Sequence, residues 1–415
     1  MRTVTVKAGK GYEVRIGRGL LPEIGKQIGV IPGVRRVLVV SDDRVFPLYG
    51  ETVLKSLADA GYETDCFVFP NGEASKNLTV YGELLTKLCD AGLTRDDLLI
   101  ALGGGVTGDL AGFAAATYRR GIPFVQVPTT LLAAVDSSVG GKTAVDLPNG
   151  KNQVGAFYQP ALVICDPDTL ETLPEPEYRN GCAEIIKYGV LDGEELFSKL
   201  AEKPVSEQFE EVIERCVSIK RDYVEADEFD RGLRMFLNLG HTIGHAVEAC
   251  SDFTIPHGQG VAIGMAAIAR ASVENGLCSE ETASRIIELL KKYSLPTEMP
   301  DYPVTKLAQA AGSDKKNTGA SMRLVIPQGI GNCTVHKIPA SDFPEWLRKG
   351  GAHESNGSGG SAERVGNDSG VQIRGPQTTD LRGAFRSRKH RRLRRNFEGY
   401  SGDDGLSHGP RRPVY

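Results

Sequence analysis

The chain has 415 residues, of which 40% are hydrophobic and 25% are charged. This length suits two ordinary domains, because single cores stop growing near about 250–300 residues. Its longest apolar stretch, residues 261–269, is far shorter than the ~18 residues that a membrane span requires, and no apolar signal-peptide core follows the first residues. Eight cysteines occur without any CxxC pair, which argues against a disulfide framework or a thiolate zinc site. We therefore expect a cytoplasmic protein without membrane contact.

The net charge of −4 is unevenly distributed. Residues 351–415 carry a net charge of +5, which leaves −9 for residues 1–350. An acidic folded part lacks the electrostatic footprint of a nucleic-acid-binding protein. Basic clusters within it would instead indicate a local anionic ligand.

Short apolar runs alternate with amphipathic stretches over residues 1–175. This rhythm predicts βαβ units and a parallel sheet of the Rossmann-like kind. The predicted strands are residues 36–40, 66–69 and 98–102, and the predicted helices between them are residues 48–60 and 78–89.

Strand signals nearly vanish after about Pro174, and residues 176–349 are predicted to form a mainly helical domain. Its predicted helices are residues 207–223, 233–248, 261–275 and 280–293, and two strand-like pieces follow at residues 322–326 and 333–338. A Rossmann-like α/β domain followed by a helical one predicts a ligand cleft between the two.

The composition changes abruptly at Gly350. Residues 354–361 are rich in Gly, Ser and Asn, and residues 386–395 contain seven basic side chains. A segment this polar cannot offset its ordering entropy by burial, so we predict that residues 350–415 are disordered. The basic run at 391–395 could tether the chain to an acidic surface, but a solvated tail without a role is the favoured interpretation.

Gly103, Gly105 and Gly108 satisfy the pattern G-x-G-x-x-G directly after the apolar run 97–102. Such a turn between strand and helix lets backbone N–H groups approach a pyrophosphate. The usual ribose-binding acid is missing from the next strand, but an earlier strand ends in Ser41, Asp42 and Asp43 and could supply it. Glycines that serve only a tight packed turn are the alternative.

A second glycine-rich segment, residues 138–143, resembles a phosphate-binding Walker A loop but fails because Asp136 stands at the first required glycine. Lys142, followed by Lys151 and Asn152, is better interpreted as a set of cation and amide donors. Ordinary surface lysines remain the alternative.

Residues 232–250 hold Arg234, Asn238, His241, His245 and Glu248 at helical spacing, which predicts one polar face of a single helix. Two histidines four residues apart can bind one metal ion. Glycines 240 and 244 would each cost roughly 1 kcal/mol inside a helix, which indicates close approach by another group. A pair of half-buried structural histidines is the alternative.

Three further side chains are unexpected in their surroundings. Glu184 and Lys187 emerge from an apolar helical segment, and Lys220 falls on the apolar face of another helix. A carboxylate that joins two histidines would make a catalytic metal site with an open position. Spacing favours His241 and His245 as those histidines, while a third histidine, His257, lies in a separate segment. A surface ion pair is the alternative for Glu184, and a lone exposed histidine is the alternative for His257.

As a set, these residues resemble the 3-dehydroquinate synthase family over about residues 1–348, whereas the tail has no counterpart there. The segments that carry the resemblance are GGGVTGDLAGFAAATYRRG (103–121), QVPTTLLAAVDSSVGGKTAVDLPNGKNQVGAFYQP (126–160), CAEIIKYG (182–189), LNLGHTIGHAVE (237–248) and HGQGVAIGM (257–265).

The resemblance implies that Glu184, His241 and His257 bind one divalent ion, zinc or cobalt, with His245 held back from the metal. It implies that NAD is held by Asp42; by Asn71, Gly72, Glu73, Ala74, Ser75 and Lys76; by Gly105, Val106, Thr107, Gly108 and Asp109; by Thr129 and Thr130; by Lys142 and Lys151; and by Thr169, Leu170, Glu171 and Thr172. It implies that the substrate contacts Arg120, Asp136, Lys142, Asn152, Lys187, Lys220, Arg234, Asn238, His245 and, of the pair Lys315 and Lys316, preferably Lys316.

The activity implied by the family is a redox-neutral carbon–oxygen lyase reaction of the shikimate pathway, which leads to chorismate and the aromatic amino acids. It converts 3-deoxy-D-arabino-heptulosonate 7-phosphate into 3-dehydroquinate and phosphate by transient oxidation with NAD, phosphate elimination, reduction and intramolecular aldol closure. A homodimer is also implied. The alternatives are another sugar phosphate cyclase and a metal-dependent alcohol dehydrogenase of the glycerol dehydrogenase type.

Overall fold

The computed structural model describes residues 1–312 and 321–354. Lys316 and all of the predicted disordered tail beyond residue 354 lie outside the described residues. Within the described ranges, none of the helices combines the length and the apolar character needed to cross a bilayer.

The amino-terminal part is built on a seven-stranded sheet with the strand order β1-β2-β9-β6-β5-β3-β4. Every neighbouring pair is parallel except β1 with β2. The eleven strands of the described chain are β1 (Arg2–Val6), β2 (Tyr12–Ile16), β3 (Arg36–Asp42), β4 (Glu63–Phe69), β5 (Leu98–Gly103), β6 (Phe124–Pro128), β7 (Lys142–Leu147), β8 (Gly150–Phe157), β9 (Leu162–Cys165), β10 (Ser321–Gly329) and β11 (Asn332–Pro339).

Helices cover the sheet and then make up most of the chain after Pro174. The α-helices of the described residues are α1 (Ile24–Gln27), α2 (Phe46–Asp59), α3 (Leu78–Asp90), α4 (Gly105–Thr117), α5 (Glu175–Asp192), α6 (Glu194–Glu202), α7 (Phe209–Ala226), α8 (His241–Cys250), α9 (His257–Glu274), α10 (Glu280–Lys292), α11 (Val304–Gly312) and α12 (Phe343–Lys349). The predicted fold class, a Rossmann-like parallel sheet followed by a helical part, is confirmed.

The central strands are continuous apolar runs because both faces of the sheet are covered by other elements. Every residue of β5 is buried, and so is the apolar middle of β3. The chain moves from β3 outward to β4, then returns to the other side of β3 for β5 and continues to β6. This reversal creates a crevice at the carboxyl ends of β3 and β5, where open parallel sheets bind ligands.

The segment after β6 differs from the glycine-rich loop that we predicted. A short π-helix, Ala133–Ser137, is followed by an antiparallel hairpin of β7 and β8. Lys142 opens the first strand and pairs with Phe157, whereas Asn152 lies near the turn. We expected the donors on one loop, but they are spread along a hairpin. These donors are Lys142, Lys151 and Asn152.

The predicted single helix over residues 233–248 is wrong. Residues Leu233–Asn238 form a 3-10 helix, and α8 begins only at His241. Gly240 separates the two with a φ of +79°, a left-handed conformation that glycine adopts without strain. Arg234 and Asn238 therefore do not share a helix face with the two histidines.

Helices α8 and α9 approach each other closely through glycines. A Cβ added to Gly264 would lie 1.9 Å from the carbonyl oxygen of Gly240, and one added to Gly244 would lie 2.7 Å from the carbonyl oxygen of Gly260. The group that approaches Gly240 and Gly244 is thus the next helix. Its close packing brings His257, the first residue of α9, toward the histidines of α8.

One large hydrophobic core joins the helical part to the first two strands. It includes Val4 and Val14 of the hairpin β1–β2 together with buried residues of α5, α7 and α9. A boundary near residue 175 between two domains stays a prediction. Two features therefore lie on parts of the chain that pack together. One is the carboxyl edge of the sheet, formed by the carboxyl ends of its parallel strands, and the other is the group of histidines on α8 and α9.

Candidate metal and NAD site

Glu184 is a fully buried carboxylate in the middle of α5. Residues Gly181–Leu191 of this helix are all buried, so both Glu184 and Lys187 sit in the core that the sequence predicted for them. The Lys187 ammonium group lies 2.5 Å from Oε2 of Glu184. A carboxylate buried this deeply requires charged or polar partners.

The other oxygen of Glu184 faces two histidines. Its Oε1 atom lies 3.3 Å from Nε2 of His241 and 3.2 Å from Nε2 of His257. One ligand atom from each of the three residues lies within 4.8 Å of the others. Two imidazole nitrogens and one carboxylate oxygen form the donor set of a catalytic zinc site.

Each of the two histidines uses its second ring nitrogen in a separate contact. Nδ1 of His241 lies 3.1 Å from the carbonyl oxygen of Leu239, and Nδ1 of His257 lies 3.0 Å from Oε1 of Glu248. Burial lowers the pKa of His241 to about 4, so its imidazole is neutral at pH 7. These contacts leave both Nε2 atoms directed at Glu184.

His245 lies one turn after His241 on α8 and completes a cluster of three imidazoles. Its ring centroid is 5.3 Å from that of His241 and 5.7 Å from that of His257. Unlike the other two, its side chain is exposed. It therefore borders the three converging ligand atoms from the solvent side.

A buried ion pair lies next to Glu184 and Lys187. Nζ of Lys220 is 2.6 Å from Oδ1 of Asp136 and donates to the carbonyl oxygen of the same residue at 2.8 Å. The hydroxyl of Tyr188 donates to Oδ1 at 2.5 Å. Although burial would raise the pKa of Asp136, the charges of Lys220 and Lys187 hold it well below its usual range. Tyr188 was not predicted, and its only signal was its position beside Lys187.

Arg234 is a third buried cation in this region, with 2% of its surface exposed. Its Nη1 atom donates to the carbonyl oxygens of Gly140 and Glu228, each at 3.0 Å. The charge of Arg234 helps to lower the pKa of Lys220 after the larger effect of burial. Three cations inside an acidic protein are the concentration of positive charge that indicates an anionic ligand.

Lys142 and Asn152, at opposite parts of the β7–β8 hairpin, are held by different partners. Nζ of Lys142 lies 2.6 Å from Oδ2 of Asp230, in the loop before the 3-10 helix. The side-chain oxygen of Asn152 accepts from Nζ of Lys76 at 2.6 Å. The hairpin therefore connects the helical part to the loop after β4.

Lys76 is a buried lysine at the centre of a charged network at the carboxyl edge of the sheet. Its Nζ lies 2.7 Å from Oδ2 of Asp109 and 3.6 Å from Oε1 of Glu73. Burial would lower the pKa of Lys76, but these carboxylates raise it well above its ordinary value. The same Glu73 oxygen lies 3.6 Å from Nζ of Lys151.

The predicted NAD-binding residues other than Lys142 and Lys151, which lie on the β7–β8 hairpin, are on five segments around this carboxyl edge that follow different strands. Asp42 ends β3; Asn71, Gly72, Glu73, Ala74, Ser75 and Lys76 follow β4; Gly105, Val106, Thr107, Gly108 and Asp109 open α4 after β5; Thr129 and Thr130 follow β6; and Thr169, Leu170, Glu171 and Thr172 lie in a 3-10 helix after β9.

Asp42 has a local role in this arrangement. Its Oδ1 atom accepts from the backbone N–H groups of Arg44 and Val45, each at 2.9 Å, in the turn that leads into α2. Helix α2 is also linked to the 3-10 helix after β9, because the hydroxyl of Tyr49 donates to the carbonyl oxygen of Thr169 at 3.0 Å. The crevice is thus built from segments that contact each other.

Two buried hydroxyls in this crevice have no hydrogen-bond partner among the described residues. They are Oγ1 of Thr107 in the first turn of α4 and Oγ1 of Thr129 after β6. Buried polar atoms are rarely left unpaired, and such exceptions require an explanation. A bound polar ligand would supply the missing partner.

Arg120 and Asn238, both predicted to contact substrate, make no described hydrogen bond or ion pair with the metal ligands or with the buried cations. Arg120 lies exposed in the loop after α4, where it lines a cavity of about 360 Å³ together with Thr94, Arg95 and Arg119. Asn238 ends the 3-10 helix before α8, and Lys316 lies outside the described residues. Their roles toward the substrate stay predictions.

Comparison with known protein families identifies the family of this chain. The profile of the 3-dehydroquinate synthase N-terminal domain matches residues 66–180, and that of the C-terminal domain matches residues 181–317. The chain belongs to the 3-dehydroquinate synthase family. The 3-dehydroquinate synthase of Pelobacter propionicus is 46% identical over 352 residues, which cover 83% of this chain and 98% of the relative. That of Streptococcus sanguinis is 43% identical over 344 residues, with 81% and 97% covered.

Solved structures show the same architecture. A 2-deoxy-scyllo-inosose synthase complexed with carbaglucose-6-phosphate, NAD⁺ and Co²⁺ matches with a TM-score of 0.76 and 25% identity over 84% of this chain and 99% of that one. ValA, a 2-epi-5-epi-valiolone synthase of Streptomyces hygroscopicus with NAD⁺ and Zn²⁺ bound, matches with a TM-score of 0.74 and 26% identity over the same shares of the two chains. A butanol dehydrogenase of Thermotoga maritima shares only the fold, at 18% identity and a TM-score of 0.58 over 81% of this chain and 96% of that one.

Proposed function

We propose that this chain is a 3-dehydroquinate synthase. It would convert 3-deoxy-D-arabino-heptulosonate 7-phosphate into 3-dehydroquinate and phosphate, with NAD and one divalent ion, Zn²⁺ or Co²⁺, as cofactors. The observation that carries the proposal is the group of buried cations, Lys187, Lys220 and Arg234, next to the converging ligand atoms of Glu184 and the histidines. A substrate with both a carboxylate and a phosphate matches this charge.

The metal would be held by Glu184, His241 and His257. The fit is supported by the two Nε2 atoms that face one carboxylate oxygen at 3.2–3.3 Å. Imidazole nitrogens and a carboxylate oxygen accept either zinc or cobalt, so the donor set does not choose between the two ions. His245 stays available for substrate because its exposed ring borders the cluster.

NAD would occupy the crevice at the carboxyl ends of β3 and β5. The fit is supported by the unpartnered hydroxyls of Thr107 and Thr129 and by the start of α4 directly after β5, which suits a pyrophosphate. Lys76, Asp109 and Glu73 would line the same crevice.

When bound, NAD supplies a temporary hydride acceptor and the divalent ion supplies polarisation of the reacting alcohol. The chain's own residues orient the substrate between these two sites. Lys220 and Arg234 would hold the carboxylate, and Lys142, Asn152 and His245 would contact the remaining polar groups. Because Asn152 also accepts from Lys76, its position depends on the cofactor side of the cleft.

Incubation of the purified protein with the heptulosonate phosphate and catalytic NAD⁺ tests the proposal. Phosphate release and NADH absorbance are followed together, with and without a chelator. The expected result is phosphate release without NADH accumulation, abolished by the chelator and restored by Zn²⁺ or Co²⁺. Steady NADH formation would contradict the proposal and indicate an alcohol dehydrogenase instead.

A sugar phosphate without a carboxylate separates this activity from that of other cyclases. Turnover of such a compound, with none for the heptulosonate phosphate, would assign the chain to a cyclase with another substrate. We expect the reverse, because the buried guanidinium of Arg234 donates its described hydrogen bonds to carbonyl oxygens, and a substrate carboxylate would supply a counter-ion that a neutral hydroxyl group cannot.

Three further features belong to the proposal. A cytoplasmic location is supported by the eight cysteines, all within the described residues and none in a disulfide. Assembly as a homodimer rests on the resemblance to the family, and light scattering of the full chain tests it. A division into residues 1–175 and 176–349 predicts that cofactor and metal bind on different sides of the cleft.

A further inference from the structure

Glu248 is a buried carboxylate that the proposed function does not use. It lies on α8, two turns after His241, and only 4% of its surface is exposed. Its Oε1 atom lies 3.0 Å from Nδ1 of His257, while Nε2 of that ring lies 3.2 Å from Oε1 of Glu184. The imidazole of His257 is therefore held between two buried carboxylates at its opposite ring nitrogens.

The packing of α8 against α9 makes room for this contact. A Cβ added to Gly260, one turn after His257, would lie 3.0 Å from both Cγ and Oε1 of Glu248. That distance is tighter than side chains normally allow, so the absence of a side chain at Gly260 lets the carboxylate pass to the ring. Gly244 lies against the backbone of Gly260 and allows the helices to come this close.

The contacts of Glu248 distinguish it from an ordinary buried ion pair. Within the described residues, the ion pair given for Glu248 is with His257 and with neither a lysine nor an arginine, and His245 offers a second imidazole nitrogen within 4.8 Å. A carboxylate taken out of water normally requires a fixed cation or several hydrogen-bond donors. Here its neighbour is a ring whose second nitrogen faces Glu184 and His241.

We propose that Glu248 is a positioning residue for His257. It accepts a hydrogen bond from Nδ1–H of the ring, which keeps the proton on that nitrogen and leaves the Nε2 lone pair for the ion held with Glu184 and His241. Carboxylates that orient histidine ligands in this way raise metal affinity. The inference rests on the proposed metal site, and its test does not depend on the reaction.

Metal affinity of the substrate-free protein gives the direct test. The metal-free wild-type chain and the variants Glu248→Leu, Glu248→Asp and Glu248→Gln are titrated with Zn²⁺ and Co²⁺ against a chelator of known affinity. We expect about 10–100-fold weaker binding for Glu248→Leu, the range found when such partners are removed. Glu248→Asp should also weaken binding, because its shorter side chain retains the charge but withdraws the oxygen from Nδ1.

Glu248→Gln supplies the rescue, since its carboxamide oxygen can accept the same hydrogen bond. We expect its affinity to lie much closer to that of wild type, and the visible spectrum of its Co²⁺ form to match the wild-type spectrum. Asp97→Asn serves as the control. Asp97 is a buried carboxylate before β5, and its loss should lower the unfolding temperature of the metal-free protein without changing metal affinity. If Glu248→Leu fails to fold, Glu248→Asp and Glu248→Gln still decide the question.

Equal metal affinity in wild type, Glu248→Leu and Glu248→Asp would overturn the proposal. So would two bound ions per wild-type chain with the second lost in Glu248→Leu, because His245, Glu248 and His257 would then form a second metal site. If wild type itself binds neither ion, the proposed metal site fails and this inference fails with it. Normal metal binding without turnover would contradict only the proposed reaction.

Discussion

Nη1 of Arg234 donates a 3.0 Å hydrogen bond to the carbonyl oxygen of Gly140. The N–H group of the same glycine donates to the hydroxyl of Tyr12 at 3.1 Å. Gly140 has a φ of +94°, and a Cβ there would lie 2.4 Å from Nη2 of Arg234. Gly140, in the glycine-rich segment 138–143, therefore holds the guanidinium group of Arg234 in place.

Gly140→Ala should displace Arg234 and raise the KM for the heptulosonate phosphate by about tenfold or more, because misplacing a charge-assisted contact costs ~1.5–3 kcal/mol. Steady-state assays of phosphate release give KM and kcat. Gly61→Ala is the matched control, since Gly61 has a φ of +89° with no atom within 4 Å of its added Cβ. Both variants strain a left-handed backbone, but only Gly140→Ala also places a Cβ against Arg234. Equal KM values in the two would disprove a role for Gly140 in placing Arg234.

The buried pair of Asp136 and Lys220 should behave as a unit. Lys220→Met leaves Asp136 buried without its closest cation, and Asp136→Asn leaves Lys220 without its anion. Each single variant should lose about 3–5 kcal/mol of unfolding free energy, whereas the double variant should recover much of it. Urea unfolding measures these values. Turnover should stay low in all three variants, and a double variant as active as wild type would exclude both residues from substrate binding.

Acid should weaken the fold partly through Asp97. This buried carboxylate accepts four hydrogen bonds, from the N–H groups of Arg35, Arg36 and Thr94 and from the hydroxyl of Thr94. Burial alone would raise the pKa of Asp97, but these donors bring it below its ordinary value. A carboxylate with a depressed pKa stabilises the fold above the unfolded-state pKa of about 3.9 and loses that contribution as the pH falls through the folded-state pKa.

The variant Asp97→Asn should therefore be less stable than wild type by about 1–3 kcal/mol at pH 7. The difference should shrink as the pH is lowered from 5 toward 2. Urea unfolding of both proteins over this range checks the prediction. A difference that stays constant with pH would show that the ionised form of Asp97 contributes no extra stability.

Substitutions at Thr107 and Thr129, whose hydroxyls lack a described hydrogen-bond partner, should affect cofactor binding without weakening the fold. Thr107→Val and Thr129→Val remove buried polar atoms without partners, so the NAD-free protein should be as stable as wild type or more so. Their Kd for NAD⁺ should rise about 5–10-fold if each hydroxyl contributes ~1 kcal/mol to a hydrogen bond with the cofactor. Calorimetric titration and thermal unfolding measure the two effects.

Thr143→Val is the comparison for these variants. Thr143 is also buried, but its hydroxyl donates to the carbonyl oxygen of Ala156 across the β7–β8 hairpin at 2.9 Å. This substitution should lower stability and leave the Kd for NAD⁺ unchanged. An unchanged Kd in Thr107→Val and Thr129→Val would contradict the placement of NAD beside these hydroxyls.

Local sequence determined the elements of the amino-terminal part. The apolar runs predicted as strands at 36–40 and 98–102 are β3 and β5, because a strand buried on both faces must be apolar throughout. Lys187 and Lys220 were recognisable because long charged side chains on apolar helix faces are rare without a specific partner.

The metal cluster depends on contacts that sequence spacing cannot express. Helical spacing predicted one face over residues 234–248, but a left-handed Gly240 divides that segment, and only tertiary packing shows which histidine meets Glu184. His257 reaches the same carboxylate because glycines let α9 approach α8. Residue types and their local pattern thus determined the strands, the helices and the candidate ligands. Spacing favoured His241 and His245 as ligands, whereas the family resemblance implied Glu184, His241 and His257. Only the tertiary structure shows that the ligand atoms of the latter three converge, because convergence depends on the distance between packed helices and not on separation along the chain.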